Sequence, residues 1–499
     1  MAILSLSASP AMAVTGVPTD LAGGRATVAM VGSSKSLNPL LDRSDVIMQL
    51  RPLLWAAPFR LDPETLRPEP WLVLRIPTRE SGDLRVMADG TLRVILRIRP
   101  EAVWDDGTPV TADDFVFTHE VLTGPSVAND LSPAHGEVVP GSVTGTGRRV
   151  EFRLASPSLD WLDAFPFLLP AHALSGSEAI GGWTSWPSAA PFRVETYVPG
   201  GHLLLERNPR YWEQDEAGRS LPYLSQLDIV FAGSREDLDE GFRQARFDVI
   251  GTDPGSAARL ATLPGAAAYT MPGEDWEHLA FEVGPGREVR NPESLVGELE
   301  FRRAVAMALD RSRIAEVAGV SSNEVASSAV TQAVGPGGPW SMYHHDPAAA
   351  REQLKALKRR LGPGTELSLA LSVSDALARR RVAAAIERQL EAVGIAVTVE
   401  RLDVTTLFAD RVIPGTFETA TWAWVTTPGP AGSVDDAIEW FFTSPADGGY
   451  QFAGWGIDGV GGTDLTSSGG DLSEAFDLSD AVGALENVDR ALAEQALLI

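Results

Sequence analysis

The chain contains no cysteine. That excludes thiol nucleophiles, Cys-ligated zinc, iron–sulfur clusters and disulfides, and leaves the compartment open. Lysine is nearly as scarce. Lys35, Lys355 and Lys358 are the only three, so arginine carries almost all the positive charge, as codon bias in a GC-rich genome would give. None of the three ends the glycine-rich loop that cradles phosphates, and no serine sits in Gly-x-Ser-x-Gly. Basic residues are also few overall: 41 Lys and Arg face 67 Asp and Glu, for a net charge of -26. Such a surface repels phosphate backbones and anionic headgroups, which excludes nucleic acid as the main partner. No stretch reaches the roughly 18 apolar residues of a membrane span.

What is present is ordinary for a globular protein: 499 residues, 44% hydrophobic and 22% charged. At roughly 150 residues per domain this length suggests about three domains, with ample apolar surface for cores that need no staples. Residues Met1 to Val14 are small and apolar, and Ala11-Met12-Ala13 has the small-x-small form of a leader-peptidase site. Residues 1–13 are therefore read as the back half of a signal peptide; a frayed terminus is the plainer account. With no cysteine after that site, a lipoprotein anchor is not expected.

Periodicity then separates strands from helices. Ala26 to Val31 reads as a short strand ending at Gly32-Ser33-Ser34, and Asp45 to Trp55 as a helix. Leu92, Val94, Leu96 and Ile98 alternate with arginines as in a half-buried strand; Val150, Phe152 and Leu154 repeat the pattern. Phe192 to Tyr197 and His202 to Arg207 flank Pro199-Gly200-Gly201 as a hairpin. Helices are expected from Ser234, over Phe301 to Val317, from Asp346-Pro347, over Asp375 to Val393, and from about Leu472. Gly394 stops the fourth and leads into the strand Ile395, Val397, Val399. Strand–helix alternation of this kind argues for α/β lobes.

Catalytic constellations are wanting. His119-Glu120 has no second histidine at metalloprotease spacing, and adjacent His344-His345 do not share a helix face. Thr111 with Asp113-Asp114 reads as a helix N-terminus rather than an acid pair. No metal site, no cofactor and no enzyme activity is expected. The segment Phe417 to Pro430 is different: it is rich in threonine, and alternation puts Trp422 and Trp424 on one face before a Pro/Gly loop. Aromatic platforms at strand ends line ligand clefts in α/β proteins, while two core tryptophans would give the same spacing.

Several segments together resemble the family 5 extracellular solute-binding proteins of ABC importers, the oligopeptide, dipeptide and nickel type. The longest is Leu92 to Phe115, containing Pro100-Glu101-Ala102-Val103-Trp104-Asp105-Asp106-Gly107-Thr108. Glu206-Arg207-Asn208-Pro209-Arg210-Tyr211-Trp212 is similar to the second hallmark. Trp276 to Phe281, Phe301 to Arg311, Glu391 to Ile395 and the Trp422/Trp424 strand follow in the family's order. The resemblance implies a type II periplasmic-binding fold: two α/β lobes joined by a hinge, with an extra subdomain inserted in lobe one. Residues 14–60 and 183–270 would form lobe one, 61–182 the insertion and 271–453 lobe two, with 454–499 returning to lobe one. It implies a monomeric, soluble, extracytoplasmic protein that closes on a solute, expected to be a peptide, and delivers it to a membrane-embedded ABC permease.

Ligand contacts are expected at Trp422, Trp424, Thr426 and Thr427, at Trp276 and His278 near the hinge, and at Ser33 and Ser34 from lobe one. In peptide-binding members the position of Thr427 is an aspartate that pairs with the peptide amino terminus; Thr cannot neutralise an ammonium, and Asp435 or Asp436 is the candidate replacement. That departure leaves open a non-peptide solute, such as an oligosaccharide or metal chelate. A sensor or chaperone-like scaffold that has lost transport is the third reading.

Overall fold

The computed structural model describes residues 2–6, 23–42, 44–62, 67–124, 133–176, 186–270, 275–284, 287, 292–320, 325–329, 338–425, 432–444, 449–454, 467, 469–471 and 473–499. The chain divides into two compact units, Met1–Met271 and Pro272–Ile499.

The first unit contains β1 (Ala2–Leu6), β2 (Arg25–Val31), β3 (Phe59–Leu61), β4 (Pro68–Pro70), β5 (Leu84–Val86), β6 (Leu92–Arg97), β7 (Thr144–Thr146), β8 (Arg149–Leu154), β9 (Phe192–Val198), β10 (His202–Arg207), β11 (Gln226–Ala232), β12 (Val249–Thr252) and β13 (Ala266–Thr270). A seven-stranded mixed sheet runs β13-β1-β12-β2-β11-β10-β9. At its centre β2 is parallel to both β11 and β12. The expected hairpin is β9 with β10, bulged at Leu204/Leu205. Helix Asp45–Leu54 lays Val46, Ile47, Leu50 and Leu54 against Phe192, Leu203, Leu205 and Ile229. The stretch read as part of a signal peptide supplies β1, which pairs antiparallel with β12 and β13.

Residues inside the expected insertion form an antiparallel sheet, β5-β6-β8-β7. The alternation read from the sequence is its pleat: Leu92, Val94, Leu96, Val150, Phe152 and Leu154 are all buried. Helix Ala112–Leu122 starts at a capping box between Thr111 and Asp114. The Asp114 carboxylate does more than cap. It accepts from the backbone N–H of Thr111 and Ala171, both at 2.9 Å, and from Trp104 Nε1 at 3.3 Å. Gly107 closes the turn before it with φ of +95°, and a Cβ there would meet the Arg210 guanidinium at 3.2 Å. These contacts make the long signature segment a folding device.

Two buried histidines complete this core. His135 Nδ1 donates to the Ala164 carbonyl at 2.5 Å, which leaves its Nε2 as an acceptor for His119 Nδ1–H at 3.0 Å. Burial pushes both imidazoles below their ordinary pKa, His135 to about 4.

The second unit holds β14 (Asp275–Phe281), β15 (Ser368–Ser374), β16 (Ala396–Leu402) and β17 (Thr419–Val425) in the order β14-β17-β15-β16. β15 is parallel to β16 and β17, while β14 is antiparallel to β17. Helices Pro347–Leu361 and Leu377–Glu391 bury Leu354, Leu357, Val382, Ile386 and Leu390 in a core shared with Leu369, Leu371 and Val373. The helix expected over Phe301 to Val317 is two helices, Leu299–Ala308 and Arg311–Ala318. Leu309 turns extended, and Asp310 caps the second helix by accepting from Arg313 N at 3.0 Å. An N-capping aspartate competing with helix continuation explains the break.

The segment expected to return to lobe one instead belongs to the second unit. Leu279 and Ile499 exchange backbone hydrogen bonds at 2.9 and 3.0 Å, and Leu498 bridges Ala280. Leu497 and Leu498 are buried there after helix Leu478–Glu494, because β14 would otherwise present an unpaired edge.

Candidate ligand-binding site

The register of β14 on β17 builds the site. Trp276 lies directly opposite Trp424, and His278 opposite Trp422. Alternate residues of a strand share a face, and so do directly opposed pairs, so four rings converge on one side of the sheet. His278 stacks on Trp424 with centroids 4.1 Å apart and planes at 15°, and meets Trp422 edge-on at 4.6 Å. Trp276 tilts against Trp424 at 5.2 Å. Helix Gly432–Phe441 adds Trp440, stacked on the other side of Trp424 at 5.2 Å and 4°. Phe417 packs edge-on against Trp422.

The cluster sits where parallel strands of an α/β sheet place ligands, at their carboxyl ends. Trp424 is one residue from the end of β17, and antiparallel β14 begins beside it. Leu377 and Val404, just past the ends of β15 and β16, are 64% and 56% exposed and give the same end of the sheet an apolar lip.

Trp422, Trp424 and His278 are almost completely buried, and Trp276 is half-buried. Both ring nitrogens of His278 and the Nε1 atoms of Trp422 and Trp424 have no hydrogen-bond partner among the described residues. A buried polar atom left unsatisfied costs about 1–3 kcal/mol. Burial holds His278 well below its ordinary pKa, and the Arg379 guanidinium adds to the effect, so the imidazole is neutral. Arg379 is itself paired with Glu277 and donates to Ser374 Oγ at 3.0 Å. The wall therefore offers two indole N–H donors, one imidazole donor and one imidazole acceptor, all uncharged. No group of three or more metal-ligating side chains occurs among the described residues.

The sequence-derived contacts divide accordingly. Trp276, His278, Trp422 and Trp424 come together, and Trp440, Leu377 and Val404 were missed. Trp440 had a signal, since Val434, Ala437 and Phe441 share its helix at core spacing; the exposure of Leu377 and Val404 had none. Ser33 and Ser34 lie in the first unit. Ser33 is exposed, but Ser34 is buried with its hydroxyl committed to Asp42 Oδ2 at 2.7 Å and Ser36 O at 2.5 Å. Tyr197 OH donates to its carbonyl at 2.6 Å, so Ser34 folds its own loop. Thr426 and Thr427 lie outside the described residues, as does the side chain of Asp435.

Residues 67–447 match the model of the bacterial extracellular solute-binding proteins, family 5. The chain belongs to that family. The family is one of extracellular solute-binding proteins. Among the described residues no helix is long and apolar enough to cross a membrane. The oligopeptide-binding protein OppA of Mycobacterium tuberculosis is 27% identical over 367 residues, 68% of this chain and 59% of the relative. The periplasmic alpha-galactoside-binding protein of Rhizobium meliloti is 24% identical over 52% of this chain and 41% of its own. The family 5 protein thus matches about three-fifths or less of these relatives' lengths. Among solved structures, the periplasmic murein tripeptide-binding protein MppA, in an unliganded open form, superposes with a TM-score of 0.71. Its identity is 16%, with 99% of this chain and 92% of that one covered. The nickel ABC transporter protein of Bacillus halodurans gives 0.68 at 16% identity, covering 95% and 92%. These likenesses establish the type II periplasmic-binding fold.

Proposed function

We propose that the family 5 protein captures a short peptide outside the cytoplasm, closes its two lobes over it, and delivers it as a monomer to an ABC permease. One observation carries this reading: four buried polar atoms without partners among the described residues, in a neutral aromatic wall at the carboxyl ends of parallel strands. A peptide backbone supplies carbonyl acceptors for the indole and imidazole N–H groups and an N–H donor for the remaining imidazole nitrogen. Rings of this kind also take up apolar side chains without demanding one sequence. Binding favours the closed state only by the free energy that its contacts there exceed those in the open state, and satisfying orphaned donors is such a difference.

A non-peptide solute is the second reading, and the wall's chemistry favours it in one respect. The described groups against these rings are other rings and the Arg379 guanidinium, none of which counters an ammonium. Hydroxyls of an oligosaccharide fit the same donors. Native mass spectrometry of protein purified without refolding, followed by denaturation, separates the readings. A ladder of masses matching mixed peptides is the expected result, and one discrete non-peptide mass overturns the peptide assignment. Competition by free against N-acetylated peptides then tests whether the amino terminus is recognised.

A further inference from the structure

A second feature of the same unit has no part in the solute site. Along helix Pro347–Leu361, Arg351, Lys355, Lys358 and Arg359 border one groove of about 340 Å³ whose floor includes Leu354, Leu367 and Val393. Their spacing of four, three and one residues makes a stripe on one helix face, about 12 Å long at the helical rise of roughly 1.5 Å per residue.

The stripe stands against the charge of the whole chain. Residues 347–393 hold nine Arg and Lys against five Asp and Glu in a protein of net charge -26, and two of its three lysines are here. Arg351 donates to the Ala392 carbonyl at 3.0 Å, which fixes one wall. Lys355 pairs with Glu352 at 3.7 Å, with both side chains well exposed. Lys358 and Arg359 have no ion-pair partner among the described residues, whereas Arg360 on another face is paired with Glu298 and Glu300. The helix dipole accounts for cations in the last turn, but not for Arg351 and Lys355, about two turns and one turn earlier.

We infer that this groove is a docking surface for an acidic, amphipathic segment of another protein, with carboxylates on successive turns along the cations and an apolar side chain on the floor. Charge complementarity selects that occupant. A single-headed anionic amphiphile matches one cation and leaves the others unpaired. An extended anionic membrane repels the rest of this acidic chain, while a narrow segment meets only the local field within a Debye length of about 8 Å.

The test uses the full chain and a fluorescein-labelled helical peptide with glutamates flanking a leucine stripe, together with its all-glutamine counterpart. Fluorescence anisotropy should show binding of the glutamate peptide that weakens at least about tenfold between about 50 and 300 mM salt. The variant Lys355→Gln/Lys358→Gln/Arg359→Gln should bind at least about tenfold more weakly at the same wild-type thermal midpoint. The glutamine peptide should not bind. Equal binding by the variant, equal binding of the two peptides, absence of binding, or binding of phosphatidylglycerol vesicles in place of the peptide each overturns the inference. Salt dependence on the wild type keeps the test decisive should the variant misfold.

Discussion

Two regions of this chain bury histidine almost equally and use it in opposite ways. In the first unit, His119 and His135 satisfy one another and the Ala164 carbonyl in a closed relay. In the second, His278 is as deeply buried between tryptophans with neither nitrogen partnered among the described residues. Desolvation depresses the pKa in both places, so charge does not separate them. Hydrogen bonding does. A buried polar group with its partners in place is part of the fold, whereas one held without them needs a different account, and the proposed solute capture offers one.

The comparison breaks most visibly at Trp424. Removing its ring from between His278 and Trp440 leaves a large cavity, so Trp424→Ala should destabilise the second unit by about 3–5 kcal/mol as well as abolish binding. Chemical unfolding followed by tryptophan fluorescence measures this; an unchanged midpoint would mean that the stack does not form.

Acid should act next in size. His135 titrates in the folded chain at about 4, below its ordinary 6.5, so the unfolded state holds more protons between these values. Stability is therefore full above about pH 6.5 and falls as pH drops towards 4, by about 3 kcal/mol at most. Protonating His135 at Nε2 sets two N–H groups face to face with His119 unless the latter changes tautomer. His135→Phe should flatten the first unit's pH profile, measured by urea unfolding at several pH values; an unaltered slope would assign the acid sensitivity elsewhere.

Substituting the two kinds of histidine by leucine sharpens the contrast. His135→Leu strands His119 Nδ1–H and the Ala164 carbonyl and should cost about 1–3 kcal/mol. His278→Leu strands nothing described, so its stability loss should come only from poorer ring packing, of about 1 kcal/mol, while solute affinity drops. Thermal shifts with and without solute check both. The smallest effect on the free protein is expected for Trp422→Phe, which keeps a ring and deletes one orphaned N–H. Its melting temperature should stay within a few degrees, with affinity reduced roughly three- to tenfold by calorimetry.

Much of this was legible in the residues. Alternation at Leu92 to Ile98 gave β6, and Asp346-Pro347 and Ser234 marked helix starts confirmed by their capping hydrogen bonds. Capping and period are local, set by bonds within a few residues. The signature around Trp104 and Asp114 identified the family while proving to be structural. Local reading erred where a competing local bond won, as when Asp310 cut one expected helix in two. It also erred where a distant edge decided, as when β14 drew Leu498 to the second unit.

The sequence by itself determined the family, the α/β character, the lack of cysteine, and the candidacy of Trp276, His278, Trp422 and Trp424. It could not place Trp276 opposite Trp424 nearly 150 residues away, nor tell that Ser34 spends its hydroxyl on Asp42 while His278 finds no partner among the described residues. Those outcomes belong to tertiary structure. A residue's type fixes what hydrogen bonds it can make, but strand register and burial fix which partners are within reach and whether water remains to replace them.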